Sequence, residues 1–177
     1  KVDDKKKLNN LFNRRRGSRR GAVSVAATPP ERVYEPTVAM SDEHRALCLV
    51  SVGDLMPGFS LPDAANVQHE LKELLDENIL VILFWNSQNP YAVEQFKRMK
   101  LEVVPFSEKG ARSVAIHVGK PSSELALLIE EYGAGSTCLI DADEKLFLRI
   151  ATRKLPRTYV LNRQGRIQWF DIEYSRS

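Results

Sequence analysis

The chain has 177 residues, 43% of them hydrophobic, and a net charge of +3 from 26 Lys/Arg against 23 Asp/Glu, which is enough for one domain with a real core plus a tail. The charge is unevenly spread: residues 1–20 hold nine Lys/Arg and two Asp, so that segment carries +7 and the remainder −4. The longest apolar run, Ile79 to Trp85, is far too short to cross a bilayer, and Cys48 and Cys138, ninety residues apart and in no motif, make neither a disulfide framework nor a zinc site.

In chain order, the basic segment comes first. Lys1, Lys5, Lys6, Lys7, Arg14, Arg15, Arg16, Arg19 and Arg20 stand among Asn, Gly and Ser, with only Leu8, Leu11 and Phe12 as sizeable apolar residues. Such a segment buries too little surface to fold alone. A tail of this sign seeks anions: an acidic protein face, anionic lipid or ribosomal RNA. The stretch RRRGSRRGAVSVAAT has the composition of an organellar transit peptide, and a nucleic-acid-binding arm has the same one. We expect an organellar protein, chloroplast ahead of mitochondrion, and not a transmembrane one. Between Gly21 and Val50, Pro29, Pro30 and Pro36 fix extended backbone, and SDEHRALCLV offers a short helix opened by Ser41 or Asp42. Residues 1–50 are therefore predicted to be arm and linker, and residues 51–177 the folded domain.

The domain opens with GDLMPGFSLPD, read as turn, short strand and turn, followed by QHELKELLDEN with Leu71, Leu74 and Leu75 at helical spacing. ILVILFW is a continuous apolar run of the kind found in a central strand covered on both faces. Beyond it, Val93, Phe96, Met99, Val103 and Phe106 form one helical stripe; Pro90 suits the first turn, Pro105 is predicted to kink or end the helix early, and Gly110 to stop it. SVAIHV reads as a second buried strand, and SSELALLIEEYG as a helix with a Ser cap and Leu125, Leu128 and Ile129 as its core face. Cys138 to Asp141 makes a third strand, and TYVLNRQGRIQWFDIEY two more, joined by a turn at Arg163 to Gly165. Alternating strands and helices predict parallel βαβ units, with the final hairpin closing the sheet: an α/β fold with a central mixed sheet flanked by helices.

Four stretches carry a resemblance. VGDLMPGFSLPD is similar to an opening G-D-x-A-P-x-F-x-L-P-D, FWNSQNPYAVEQ to FW-x-x-W-CPYC-x-x-E, LPRTYVLNRQGRI to P-A-T-Y-V-I-D-R-x-G-x-I, and DIEYSRS to a closing D-x-D-Y-x-x-R. Together they resemble the thioredoxin fold in its redoxin form, the alkyl hydroperoxide reductase / thiol-specific antioxidant family, from about Val52 to Arg176. The resemblance implies a nucleophilic cysteine at the start of a helix, where the helix dipole and free N–H groups favour the thiolate. In this chain that position is Asn89, the second cysteine's is Ala92, and the tryptophan before the first is Gln88. Around Pro90 and Tyr91 the motif survives without its thiols. An amide cannot cycle through sulfenic acid or disulfide, so neither peroxidase nor oxidoreductase chemistry runs through Asn89.

The resemblance also implies that Pro156 is the cis-proline facing the vacated site. Arg153, Lys154 and Arg157 stand around it, so the old groove is expected to offer guanidinium groups to a carboxylate or phosphate; a solvated basic loop has the same composition. Tyr91, Trp85, Trp169 and Phe170 are aromatic residues available either to the core or to a partner. Ser87, His44, His69 and His117 lack both a glycine-framed serine elbow and metal-ligand spacing. The expectation is a redox-inactive subunit of a larger assembly, bound to protein subunits through the domain and the arm, with no cofactor and no small-molecule substrate. The alternatives are a thiol enzyme working through Cys48 or Cys138, and a nucleic-acid-binding factor acting through the arm.

Overall fold

The computed structural model describes residues 41–76, 79–153 and 155–172. Its elements are α1 (Asp42–Arg45), β1 (Ser60–Pro62), β2 (Gln68–Glu70), α2 (Leu71–Leu75), β3 (Ile79–Trp85), α3 (Pro90–Glu108), β4 (Ala111–Val118), α4 (Ser123–Tyr132), β5 (Thr137–Asp141), α5 (Phe147–Ile150), β6 (Arg157–Leu161) and β7 (Ile167–Ile172). The basic residues of 1–20 and Lys154 lie outside the described residues, as does Glu173 to Ser177 of the closing motif.

Five strands form the main sheet in the order β5-β4-β3-β6-β7. β3, β4 and β5 run parallel, while β6 lies antiparallel to β3 and β7 antiparallel to β6. The run ILVILFW occupies the centre, and Leu80 to Trp85 are all buried because both faces of β3 are covered. Val81, Leu83 and Trp85 pack with Phe96 and Met99 of α3 and Leu125 of α4. Leu80, Ile82 and Phe84 pack on the other face with Leu71, Leu74, Phe147 and Tyr159. Period-2 alternation thus divides one apolar strand between two clusters.

Three local expectations change. Gln68–Glu70 is a strand, paired antiparallel with Ser60–Pro62, so the helix begins only at Leu71, where the Glu73 carboxylate accepts the Glu70 N–H at 3.4 Å. Helix α3 runs through Pro105 to Glu108: a proline this close to the end removes one backbone bond, and the Lys109 N–H closes the last turn on the Phe106 carbonyl. Gly110, at φ +71°, then supplies the stop.

The third change concerns the N-terminal approach. Ser41 caps α1 by accepting the His44 N–H at 3.2 Å. From Leu47 onward the chain is part of the domain: the Thr152 N–H donates to the Leu47 carbonyl, the Leu49 N–H donates to the Ile150 carbonyl, Cys48 pairs with Ala151, and Val50 is buried in the core.

Candidate functional site

The strand β3 delivers the loop Asn86–Asn89 to the N-terminus of α3, and each of its residues has defined hydrogen bonds. Asn86 donates through Nδ2 to the Val118 carbonyl at 2.7 Å, and its Oδ1 accepts the Gln88 N–H at 2.8 Å. Asn89 Oδ1 accepts the N–H groups of Tyr91 and Ala92 at 3.0 and 3.3 Å. Its Nδ2 donates to the Leu155 carbonyl at 3.0 Å. The Leu155–Pro156 bond is cis. The carboxamide therefore satisfies the orphan donors of the helix with one end and ties the opposite loop with the other.

The remaining residues of the motif fall on either side of the surface. Ala92 is fully buried, whereas Tyr91 is 68% exposed. Trp85 is core: it stacks on Phe96 at 4.0 Å and meets the His117 ring edge-on at 5.3 Å. Phe170 is also buried, stacked on Tyr159 at 5.3 Å, and Trp169 is half-buried.

Beside the cis-proline lies an open groove of about 600 Å³, lined by Asn86, Asn89, Glu144, Phe147, Arg153 and Leu155. Arg153 is exposed there. Arg157 is not. It is fully buried, and its guanidinium donates to the Arg153 carbonyl at 2.7 Å, the Leu47 carbonyl at 3.3 Å and Cys48 Sγ at 3.3 Å. The expectation that Arg157 faces the groove is corrected: its five donors are directed inward, where they join the Leu47–Cys48 segment to the cis-proline loop. Burial raises the pKa of the neighbouring Tyr159 phenol, and the Arg157 guanidinium draws it back.

The two thiols differ in setting. Cys48 Sγ donates to the His44 carbonyl at 3.3 Å and accepts from Arg157. Burial pushes the Cys138 thiol up to about 11, so it stays protonated at neutral pH and is a poor nucleophile.

Ser87 and His117 are brought together although the sequence offers no sign of it. His117 is buried; its Nε2 accepts the Ser87 N–H at 3.2 Å, Ser87 Oγ lies 3.2 Å from the same nitrogen, and Nδ1 donates to the Gly119 carbonyl at 3.2 Å. Burial lowers the His117 pKa, with the Gly119 carbonyl opposing. The Nε2 lone pair that a nucleophilic serine would need is already engaged by a backbone N–H, so the pair anchors the loop instead of activating an oxygen. Elsewhere His69 meets Asp63 at 3.1 Å and His44 sits in α1. Among the described residues no three His, Cys, Asp or Glu side chains are grouped to hold a metal, and no helix is long and apolar enough to cross a membrane. Sequence reasoning missed Asn86, Val118, Glu144, Phe147 and Thr152 as groove residues; Glu144 carries φ +59°, a rare value for a side-chain-bearing residue.

Comparison with known proteins agrees with this fold. Residues 52–170 match the model of the AhpC/TSA family. The thiol-disulfide oxidoreductase ResA of Halalkalibacterium halodurans is 24% identical over 119 residues, 67% of each chain. Peroxidoxin BcpB from Mycobacterium tuberculosis superposes with a TM-score of 0.60 at 20% identity, over 68% of this chain and 84% of that one. The thioredoxin domain of a thiol-disulfide oxidoreductase from Bacteroides vulgatus gives 0.59 at 13% identity, over 72% and 91%. The fold is thioredoxin-like, a mixed sheet flanked by helices.

Proposed function

Because the chain belongs to the AhpC/TSA family yet opens α3 on the Asn89 carboxamide, we propose that it is a redox-inactive thioredoxin-like protein, a structural or accessory subunit of a large organellar assembly. A photosynthetic or respiratory membrane complex and a ribosome are the assemblies that a basic arm suits. The observation that carries this reading is the double engagement of Asn89. Its oxygen stands where a thiolate would accept the helix N–H groups, and its nitrogen occupies the Leu155 carbonyl next to the cis-proline. On this reading Asn89 is a fixed joint, since a carboxamide does not pass through sulfenic acid or disulfide. The groove beside it, lined by Glu144 and Arg153 of opposite charge and by apolar Phe147 and Leu155, suits an extended protein segment carrying both signs.

One observation favours a second reading, thiol chemistry at Cys48: a guanidinium nitrogen lies 3.3 Å from its sulfur. The two readings separate in a turnover assay with the full chain, a hydroperoxide and a dithiol reductant. The subunit reading predicts the same background rate for the parent and for Cys48→Ser; turnover that disappears in Cys48→Ser refutes it.

A further inference from the structure

The loop Asn86–Asn89 shapes the groove, and one of its anchors is a titratable group. Ser87 is buried, and its N–H has His117 Nε2 as acceptor at 3.2 Å. Nε2 can accept only when the imidazole is neutral, and the Nδ1 bond to the Gly119 carbonyl fixes the tautomer that leaves Nε2 bare. Protonation would put an N–H at Nε2, facing the N–H of Ser87. The Ser87 hydroxyl, 3.2 Å away, can turn to accept the new proton, but the buried backbone N–H then loses His117 as its acceptor, which favours opening.

We propose that His117 is a pH-sensitive latch on the loop Asn86–Asn89: neutral, it holds the loop closed at Ser87; protonated, it lets Ser87 go. The other side-chain bonds from the loop to the rest of the domain, from Asn86 to the Val118 carbonyl, between Ser87 Oγ and Ser122 Oγ at 3.4 Å, and from Asn89 to the Leu155 carbonyl, do not titrate, so release is confined to the backbone between Asn86 and Asn89. The ionisable groups on neighbouring elements do not oppose it. α3 has no acidic residue in its first turn, and α4 has Glu124 in its own. The Asp141 carboxylate is held by the N–H groups of Leu146 and Phe147, and the Glu144 carboxylate lies beside Gly119, with Lys120 next in the chain. Burial and the Gly119 carbonyl remain the two influences on the ring, the first lowering and the second raising its affinity for a proton.

The sign follows from linkage. A histidine whose folded pKa is lowered leaves the closed loop unaffected above the ordinary value of about 6.5, and favours the open loop increasingly as pH falls below it. The inference concerns the loop beside the groove and is independent of what the groove holds.

Amide hydrogen exchange of the full chain, read residue by residue as protection factors between about pH 7.5 and pH 5, tests it. The Ser87 amide should be less protected than that of Ile116 in the core at every pH, and its protection should fall below about pH 6.5, by up to about tenfold per pH unit for one proton. His117→Gln keeps an acceptor without titrating and should flatten that fall. Ser87 protection that does not change with pH, exchange of Ser87 and Ile116 at a common rate, or an unaltered fall in His117→Gln would each overturn the proposal. The parent profile decides the matter by itself if the variant does not fold.

Discussion

At the residue scale, Asn89 is both the loss of a chemistry and the gain of a bond. Asn89→Ala removes the acceptor for two helix N–H groups and the donor to Leu155, and should lower stability by roughly 1–2 kcal/mol in a denaturant titration. Asn89→Asp keeps the cap and favours the helix dipole, but sets a carboxylate against the Leu155 carbonyl. It should therefore recover only part of that loss. Cys138 gives a pH dependence of definite sign. Its pKa rises from 9.0 to about 11 on folding, so the folded state prefers the thiol. That contribution is complete below pH 9 and is lost as pH rises toward 11. Alkylation of Cys138 at pH 8 should thus be slow in the native protein and fast after unfolding. Much of this was legible in the sequence: the absence of both thiols is read directly, and Cys138 sits in an apolar strand. The role of Arg157 was not legible, because a basic loop residue looks solvated until the partners that enclose it, Leu47 and Cys48, are known to lie against it.

Among the elements, β3 and α3 position the site, and both were visible in the pattern, β3 as an unbroken apolar run and α3 as a stripe beginning at Pro90. Phe84→Ala removes a fully buried ring between Phe147 and Tyr159, and should destabilise by about 3–5 kcal/mol. The ends of elements were less legible. Glu70 has no strong local preference between β2 and α2 until Ser60 pairs with it, and Pro105 breaks a helix only where enough helix follows to be broken. If α3 tolerates Pro105 merely because it lies near the end, Pro105→Ala should raise the melting temperature; no gain would mean that the turn is set by its packing. Restoring both cysteines in Asn89→Cys, Ala92→Cys should yield a dithiol that oxidises to an intramolecular disulfide, readable as loss of two free thiols. Failure of those thiols to pair would show that the helix start has lost the geometry of its relatives.

For the whole molecule, strand–helix alternation and the four resembling stretches were enough to predict a mixed sheet of thioredoxin type, and the order β5-β4-β3-β6-β7 agrees. What the sequence withheld is the return of residues 47–50 to the sheet. That contact joins positions about a hundred residues apart, through backbone groups that leave no trace in side-chain pattern. It moves Cys48 from a linker to the back of the cis-proline loop, against the Arg157 guanidinium. The account rests on the claim that the protein holds a place in an assembly and turns nothing over. Native affinity purification of the full chain from its source cells, with and without residues 1–20 and with a ribonuclease control, tests that claim most directly. The account predicts recovery of one large complex in fixed stoichiometry with the full chain. Recovery of the chain alone, accompanied by peroxide consumption that Cys48→Ser abolishes, would contradict it.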